Sequence, residues 1–365
     1  MFWLILFALL LIMAVGGTIY LFTRFHRFSF MEKFGEKHKV LSWLACLIPF
    51  GGLACFAFIN IYTVIVVVLH LMIFWLIADI IAAIVRKVSK KERRRNIEGA
   101  AAILFTAVYL AIGWHNAHDV RRTAYELHTD KPLPGGGIRI AAIADPHLGI
   151  TLNGDDFARE MERIQAEKPD MLVIAGDYVD DDTCRADMVR SCEALGKLDM
   201  KYGIYFIFGN HDKGYYEGYR DFTADDLRQE LKKNNVIILE DESVEISEGL
   251  TLIGRQDKSN EARAEMSALA KDMNAESFNF ILDHQPNDYA NEAESGADLV
   301  FSGHTHGGHI WPAGQIGLLL GANDRVYGTE KRGNTEFIVT SGISGWAIPF
   351  KTGTFSEYVI IDVKN

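Results

Sequence analysis

The stretch Leu299-Val300-Phe301-Ser302-Gly303-His304-Thr305-His306-Gly307-Gly308 is the part of the sequence that best indicates the fold. A short apolar run ends there in two histidines one residue apart, set among glycines. Alternate side chains of a strand point the same way, so His304 and His306 would share a face. Neutral imidazoles are common ligands of zinc, iron and manganese. The pair therefore indicates a metal site if other ligand-type residues accompany it.

Four more apolar runs upstream end in residues of the same chemical kind. Ile138–Ala144 is followed by Asp145 and His147, Met171–Ala175 by Asp177 and Asp180, Ile204–Phe208 by Asn210, His211 and Asp212, and Phe278–Leu282 by His284. Apolar strands that alternate with polar stretches are typical of an α/β architecture, in which the carboxyl ends of the strands hold ligands. A single pair such as Gly176-Asp177 or Asn210-His211 would be an ordinary turn. Five successive strands that all end in ligand-type residues predict a metal site. Carboxylate, imidazole and amide ligands without cysteine favour Mn, Fe or Zn.

Charge is distributed unevenly along the chain. Residues 138–365 contain 22 Lys and Arg against 40 Asp and Glu, a net charge of −18, whereas residues 1–137 carry a net charge of +7. Binding to nucleic acid requires a basic face. We therefore expect no nucleic-acid partner for the C-terminal part of the chain.

The first 118 residues contain four apolar segments, which predict transmembrane helices at about 1–23, 40–59, 61–85 and 99–118. A cleaved signal peptide is the alternative for the first segment, but it would place basic residues before the apolar run and a small-residue cleavage site after it. The first segment has no such basic residues, so we expect a helix that stays in the membrane. The fourth span is the least regular, because His115, Asn116 and His118 make its far end polar.

Basic residues in the loops predict the orientation of these spans. Residues 24–39 contain five Lys and Arg, and residues 86–95 contain seven. Short loops rich in Lys and Arg stay in the cytoplasm, and four spans put both loops on that side. A connector at 119–137, rich in proline and glycine, would then lead to an extracytoplasmic domain at 138–365. If the fourth segment did not span, this domain would be cytoplasmic instead.

The ordered motifs Asp-x-His, Gly-Asp-x-x-Asp, Gly-Asn-His-Asp, His-x-Pro and Gly-His-Thr-His resemble those of the calcineurin-like metallophosphoesterase superfamily. The final Gly-His-Thr-His-Gly-Gly is similar to that of membrane-anchored bacterial phosphoesterases. The resemblance covers residues 138–365. It implies an α/β fold, a sandwich of two β-sheets flanked by helices, with two divalent metal ions at its centre.

The resemblance also implies a role for each residue. Asp145, His147 and His306 would bind the first metal, Asn210, His284 and His304 the second, and Asp177 would bridge both. His211 would contact the scissile phosphate and protonate the leaving oxygen, oriented by Asp212, with Asp180 behind the ligands. Two cations roughly 3.5–4 Å apart lower the pKa of a bridging water and orient it for in-line attack on phosphorus.

One departure from the family pattern bears on the substrate. Phosphoprotein phosphatases of the superfamily have an arginine after Gly-Asp-x-x-Asp, where this chain has Asp181 and Asp182. Such an arginine would clamp a terminal phosphate, so a phosphoprotein substrate is disfavoured. We predict a metal-dependent phosphoric ester hydrolase in the cell membrane, acting on a phosphodiester or pyrophosphate bond of a lipid or envelope precursor beside the bilayer. The alternatives are a cytoplasmic-facing nucleotide phosphodiesterase or phosphomonoesterase, and a catalytically inactive binding or scaffold protein.

Overall fold

The computed structural model of the protein describes residues 2–90, 96–214 and 218–365. Within these ranges the chain forms two compact units, Met1–Ile112 and Gly113–Asn365. We call them the N-terminal unit and the C-terminal unit. The long helix α6, Ile97–His118, begins in the first unit and ends in the second.

Helices make up the described part of the N-terminal unit. They are α1 (Phe2–Phe25), α2 (Ser29–Lys37), α3 (Lys39–Ala45), α4 (Leu47–Ala54), a 3₁₀ turn at Cys55–Phe58, α5 (Ile61–Ser89) and most of α6. Three stretches are long and apolar enough to cross a membrane: Lys39–Phe58, Ile61–Ser89 and Ile97–His118. The first of them is interrupted at Cys46. Pro49 has no N–H to donate to the carbonyl of Ala45, so the break falls where the proline removes a helical hydrogen bond.

The remaining expected span falls on α1. Within the fully described residues, Leu11–Phe25 of this helix forms an apolar segment. Arg24 of this helix pairs with Asp79 of α5, with Nε 2.6 Å from the carboxylate. Of the second basic loop, residues 91–95 lie outside the part of the chain that the structure describes.

Two six-stranded sheets form the C-terminal unit. Sheet I has the order β1-β12-β2-β3-β4-β5, and sheet II has the order β10-β11-β9-β8-β7-β6. Their bounds in chain order are β1 Arg121–His128, β2 Gly137–Ile143, β3 Met171–Ala175, β4 Ile204–Ile207, β5 Val236–Ile238, β6 Glu242–Ser247, β7 Leu250–Gly254, β8 Phe278–Leu282, β9 Leu299–Ser302, β10 Gly328–Arg332, β11 Thr335–Val339 and β12 Glu357–Lys364.

Parallel strands occupy the middle of both sheets. Strands β2 to β5 run parallel in sheet I, and β7, β8, β9 and β11 run parallel in sheet II. Parallel strands are covered on both faces and read as continuous apolar runs, which is the pattern of β3, β4, β8 and β9. Their carboxyl ends therefore meet at one edge of each sheet.

A single apolar layer joins the two sheets face to face. Ile140 and Val173 of sheet I lie in the same buried cluster as Phe280 and Phe301 of sheet II. The outer faces are covered by helices α7 (Gly154–Ala166), α8 (Arg185–Leu195) and α9 (Ala224–Lys233) on sheet I, and by α10 (Met266–Leu269) and α11 (Tyr289–Glu294) on sheet II. The predicted α/β sandwich of two sheets flanked by helices is confirmed.

The stretch expected to act as a connector, 119–137, contains strand β1. This strand pairs in parallel with β12 at the edge of sheet I, and its side chains alternate between half-buried and exposed. Tyr125 and Leu127 pack against the core between the sheets. The strand is hard to recognise in the sequence because it contains three charged residues, Arg121, Arg122 and Glu126. Charged residues are uncommon in strands except at an exposed edge.

Candidate metal centre

The ligand-type side chains lie immediately after five strands. Asp145 and His147 follow β2, Asp177 follows β3, and Asn210, His211 and Asp212 follow β4; His284 follows β8, and His304 and His306 follow β9. The first three strands are neighbours in sheet I, and the last two are neighbours in sheet II. Because the sheets stack face to face, all of these residues meet at one edge of the sandwich.

Several of these residues have a strained backbone. Asp145, His147, Asp177, His304 and His306 have φ angles of 55°, 36°, 51°, 69° and 48°. The left-handed region is sparsely populated by residues other than glycine, and each occurrence costs on the order of 1–3 kcal/mol. Such strain persists only where the surrounding structure enforces it, and it is concentrated at functional sites. The backbone here turns sharply after each strand, which aims consecutive side chains into one space.

The predicted ligands form two groups among the described residues, and a third group consists of His147, Asp180 and His211. Asp145, His147 and His306 offer atoms that all lie within 4.8 Å of one another, and so do Asp177, His284 and His304. In the first group, His147 Nε2 is 3.2 Å from His306 Nε2. In the second, His284 Nε2 is 3.1 Å from Asp177 Oδ2. Asn210 joins the second group, since its Oδ1 is 3.1 Å from the same His284 nitrogen.

Asp177 lies between the two groups. Its Oδ2 atom is 3.1 Å from His284 Nε2 and 3.6 Å from His147 Nε2. Its Oδ1 atom accepts the backbone N–H of His211 at 2.8 Å. One carboxylate thus faces a histidine of each group, and the structure brings all seven candidate ligands together around it.

Distances among these atoms test whether the residues fit metal ions. Two ligand atoms each about 2.1 Å from one tetrahedral or octahedral cation lie about 3.0–3.4 Å apart. The contacts of 3.2 Å in the first group and 3.1 Å in the second have this spacing. The ligand atoms are oxygen and nitrogen, and Asp145, His147 and His284 are fully buried. Buried polar groups require partners, and the spacing and kind of these ligand atoms fit two divalent cations.

His211 contacts a carboxylate other than the one expected from the sequence. Its Nδ1 is 3.1 Å from Asp180 Oδ1, and the other oxygen of Asp180 is 3.0 Å from His147 Nδ1. Asp180 therefore holds two imidazoles at once. A carboxylate on the far nitrogen of a metal-binding histidine sets its tautomer and its orientation. We infer that Asp180 orients both His147 and His211.

Asp212, which the sequence predicts to orient His211, is fully buried and binds backbone groups. Its Oδ1 accepts the N–H groups of Tyr178 and Val179, at 2.7 and 3.1 Å. Its Oδ2 accepts those of Asp177 and Gly209, at 2.9 and 2.7 Å. Asp212 thus ties the loop after β4 to the loop that carries Asp177. We infer that it positions the central carboxylate.

Glycines allow the loops to approach one another. A side chain at Gly209 would clash with Asp177, and a Cβ at Gly303 would lie 2.6 Å from Asp145 Oδ2. The two carboxylates can therefore lie against neighbouring backbone only because no Cβ is present there. Asp145 also accepts the N–H of His304 at 3.0 Å, which joins the first loop to the last.

Burial and neighbouring charges set the protonation of the cluster. Burial lowers the pKa of His304 to about 4 and lowers that of His306 well below its usual value, so both imidazoles are neutral and can act as ligands. Burial raises the pKa of Asp145 to about 6. Although burial opposes it, the charge of Asp177 raises the pKa of His284 well above its usual value. Protons at Asp145 and His284 therefore compete with cations.

A buried ionic network behind His284 could not be anticipated from sequence. Arg255 is 2% exposed, and its Nη1 contacts the carboxylates of Asp283, Asp288 and Glu292 at 2.8–3.0 Å. Arg263 makes a further ion pair with Asp283. Asp283 directly precedes His284, so these pairs hold the loop that carries the histidine. An arginine in a loop gives no local signal of such a role.

Comparison with known proteins agrees with this geometry. The model of the calcineurin-like phosphoesterase family matches residues 138–308. An uncharacterized metallophosphoesterase of Aquifex aeolicus is 30% identical over 271 residues, which is 72% of this chain and 99% of that protein. One of Campylobacter jejuni is 29% identical over 233 residues, covering 62% of this chain and 59% of that protein.

A relative from Danio rerio, described as a transmembrane protein with metallophosphoesterase domain, is 27% identical over 281 residues. The match covers 72% of this chain and 62% of that protein. This chain therefore spans less than two thirds of the Campylobacter and Danio relatives and nearly all of the Aquifex one. The chain belongs to the calcineurin-like metallophosphoesterases, a family of metal-dependent phosphoesterases.

Proposed function

We propose that this protein is a membrane-anchored hydrolase that uses two divalent cations, Mn, Fe or Zn, to cleave a phosphodiester or pyrophosphate bond. The observation that carries the proposal is the place of Asp177, whose Oδ2 faces His284 at 3.1 Å and His147 at 3.6 Å. A carboxylate between two sets of nitrogen and oxygen ligands suits a pair of cations. Asp145, His147 and His306 would hold one cation; Asn210, His284 and His304 would hold the other.

The chemistry of the bound cations and that of the protein residues are complementary. Two cations supply an activated water and neutralise charge that develops on the phosphate. His211 lies beside the ligands and is only partly buried, so it can reach a bound substrate. Although burial opposes it, the hydrogen bond that His211 donates to the Asp180 carboxylate raises the pKa of His211. The imidazolium form is thereby favoured, and Nε2 would donate its proton to the leaving oxygen.

The substrate we favour is a lipid or envelope precursor beside the bilayer. Three helices of the chain are long and apolar enough to cross a membrane, and the third, α6, is followed within three residues by β1 of sheet I. This short connection keeps the catalytic unit close to the lipid. With four spans, the domain would lie outside the cytoplasm. A reporter that is active only outside the cytoplasm, fused after Asn365, tests this orientation; an inactive fusion would favour a cytoplasmic nucleotide phosphodiesterase.

Activity is tested with bis(p-nitrophenyl) phosphate and p-nitrophenyl phosphate. The full chain is purified in detergent, stripped of metal and resupplied with Mn²⁺ or Zn²⁺, beside an Asp177→Asn variant. Metal-dependent cleavage of the diester, lost in the variant, is the expected result. Cleavage of the monoester alone would point to a phosphomonoesterase. No cleavage of either ester by folded protein that holds two metals would favour the scaffold alternative.

A further inference from the structure

An apolar segment follows the last histidine motif and is exposed on the surface of the C-terminal unit. Residues 310–323 contain no charged side chain and no histidine, although residues 138–365 carry a net charge of −18. The segment includes the short helix α12, Ala313–Leu319. Its largest side chains point outward: Trp311, Ile316, Leu319 and Leu320 are each at least half exposed, and Leu319 is 86% exposed.

This segment lies beside the candidate metal centre. Trp311 is five residues after His306, and its N–H donates to Thr352 Oγ1 at 3.1 Å. Thr352 in turn donates its own N–H to the carbonyl of His309 at 2.9 Å. A second exposed tryptophan, Trp346, has its ring 5.5 Å from the ring of His211. The apolar surface therefore borders the place where a substrate would meet His211.

The same surface is joined to the end of an apolar helix. Gly113–His118, the end of α6, belongs to the C-terminal unit. The N–H of Lys351 donates to the carbonyl of Gly113 at 2.8 Å, and the ring of Phe350 packs on Trp114 at 5.6 Å. Lys351 directly precedes Thr352, so adjacent residues make the contact with α6 and the contact with Trp311. A helix that leaves a bilayer near its polar end would place these residues at the lipid surface.

Composition favours lipid as the occupant of this surface. Tryptophan is enriched at the boundary between membrane and water, and Trp114, Trp311 and Trp346 are all more than 40% exposed here. Anionic headgroups repel an acidic domain over about a Debye length. The segment 310–323 is uncharged, so it can approach the headgroups without this repulsion. Exposed apolar patches of this kind mark interaction sites with proteins or membranes. Because this surface is joined to the end of the apolar helix α6, we favour the membrane over a protein partner.

We propose that residues 311–320, together with Trp346, form a surface that docks on the bilayer and opens the metal centre at the level of the lipid headgroups. This inference deepens the proposed function and rests on it, because it assigns to that centre a phosphoester carried by the lipid surface. The substrate would reach His211 past Trp346 without leaving the membrane boundary.

The test places a fluorescent label on the surface of the full chain. The four native cysteines are replaced by serine, Leu319→Cys is labelled with a nitrobenzoxadiazole dye, and the protein is reconstituted into vesicles of phosphatidylethanolamine and phosphatidylglycerol. Glu276→Cys is the matched control. It is exposed and precedes β8, so it lies at the opposite ends of the parallel strands from the metal centre.

The label at Leu319→Cys is expected to be quenched several-fold more strongly by spin-labelled lipid than the control label, and less by aqueous iodide. Equal quenching of both labels by iodide would overturn the proposal. Protection of the Leu319→Cys label from both quenchers would also overturn it, since a second protein copy would then cover the surface.

Activity in the same vesicles separates this proposal from the proposed function. A Leu319→Asp variant is expected to cleave soluble bis(p-nitrophenyl) phosphate at the unmodified rate, because Leu319 is on the surface and is not a ligand. An active chain whose Leu319→Cys label is exposed to water would contradict the docking surface alone. A lipid-protected label in a chain that cleaves no ester would contradict the hydrolase and leave the docking surface standing.

Discussion

Replacing Asp212 by asparagine is expected to destabilise the C-terminal unit and to displace the central carboxylate of the metal centre. The Asp212 carboxylate is fully buried and accepts four backbone N–H groups, two on each oxygen. An asparagine keeps one oxygen and presents an NH₂ group in place of the other. If the NH₂ group replaces Oδ1, it faces the N–H groups of Tyr178 and Val179. If it replaces Oδ2, it faces those of Asp177 and Gly209. In either case two backbone donors lose their acceptor, and at least one of them belongs to Asp177 or to Tyr178.

The magnitude follows from the number of bonds lost. A buried donor left without an acceptor costs about 1–3 kcal/mol, so two such donors cost about 2–6 kcal/mol. For a unit of this size, 1 kcal/mol lowers the Tm by roughly 2–4 °C, which predicts a fall on the order of ten degrees. The displacement of Asp177 should also remove metal, because its carboxylate lies between both ligand groups.

Thermal unfolding of the full chain in detergent and metal content by mass spectrometry measure the two effects. The matched control is Asp241→Asn. The Asp241 carboxylate also accepts backbone N–H groups, from Gln256 and Ala264 at 2.9 and 2.8 Å, but it follows β5 and contacts none of the ligand loops in the bonds described. The control should lower the Tm and retain metal. An Asp212→Asn protein with normal metal content and a Tm within about a degree of wild type would show that Asp212 does not position Asp177.

Four further changes have distinct expected outcomes. His211→Asn should retain both metals and lower turnover by about 10²–10⁴, the usual contribution of a general acid. Asp180→Asn should move the alkaline limb of the pH–rate profile to lower pH, because the hydrogen bond that His211 donates to Asp180 raises the pKa of His211. Metal content after dialysis should fall as the pH is lowered through about 6, because the pKa of Asp145 is raised to about 6 and a protonated carboxyl cannot bind a cation. Burial lowers the pKa of Lys351 to about 7. Between about pH 7 and 10 the unfolded chain therefore binds more protons than the native one, so the free energy of unfolding rises with pH by up to about 1.4 kcal/mol per pH unit. Lys351→Met should abolish the corresponding rise of the Tm with pH.

Much of the candidate centre could be predicted from sequence because its signals are local. Each ligand-type residue follows an apolar strand, so the order of strands and polar ends was sufficient to anticipate an α/β fold with a metal site at the carboxyl ends of its strands. The sandwich of two sheets was implied only by the resemblance to the calcineurin-like metallophosphoesterases. His304 and His306 reach the two ligand groups through a backbone in the left-handed region, with φ of 69° and 48°. Simple strand alternation was the basis of their prediction, but both residues lie beyond the end of β9.

Roles that depend on tertiary contacts could not be predicted from the sequence. Asp212 adjoins His211 in sequence, yet its carboxylate points to the backbone of the β3 loop, and Asp180 from that loop reaches His211 instead. Arg255 organises the loop of His284 from a different strand end. Strand β1 could not be recognised because its charged side chains lie at an exposed edge of the sheet. Residues 311–320 are apolar but too short to span a membrane, so hydropathy alone does not predict a membrane contact for them.

A metal titration measures whether one carboxylate, that of Asp177, serves two cations. Metal-stripped full chain is titrated with Mn²⁺ while bound metal and cleavage of bis(p-nitrophenyl) phosphate are measured in the same samples, with Asp241→Asn as a control of unchanged site. We expect two Mn²⁺ per chain, turnover that appears as the second is bound, and loss of both features in Asp177→Asn. Full turnover in the stripped protein, or two tightly bound cations in Asp177→Asn, would contradict this role of Asp177.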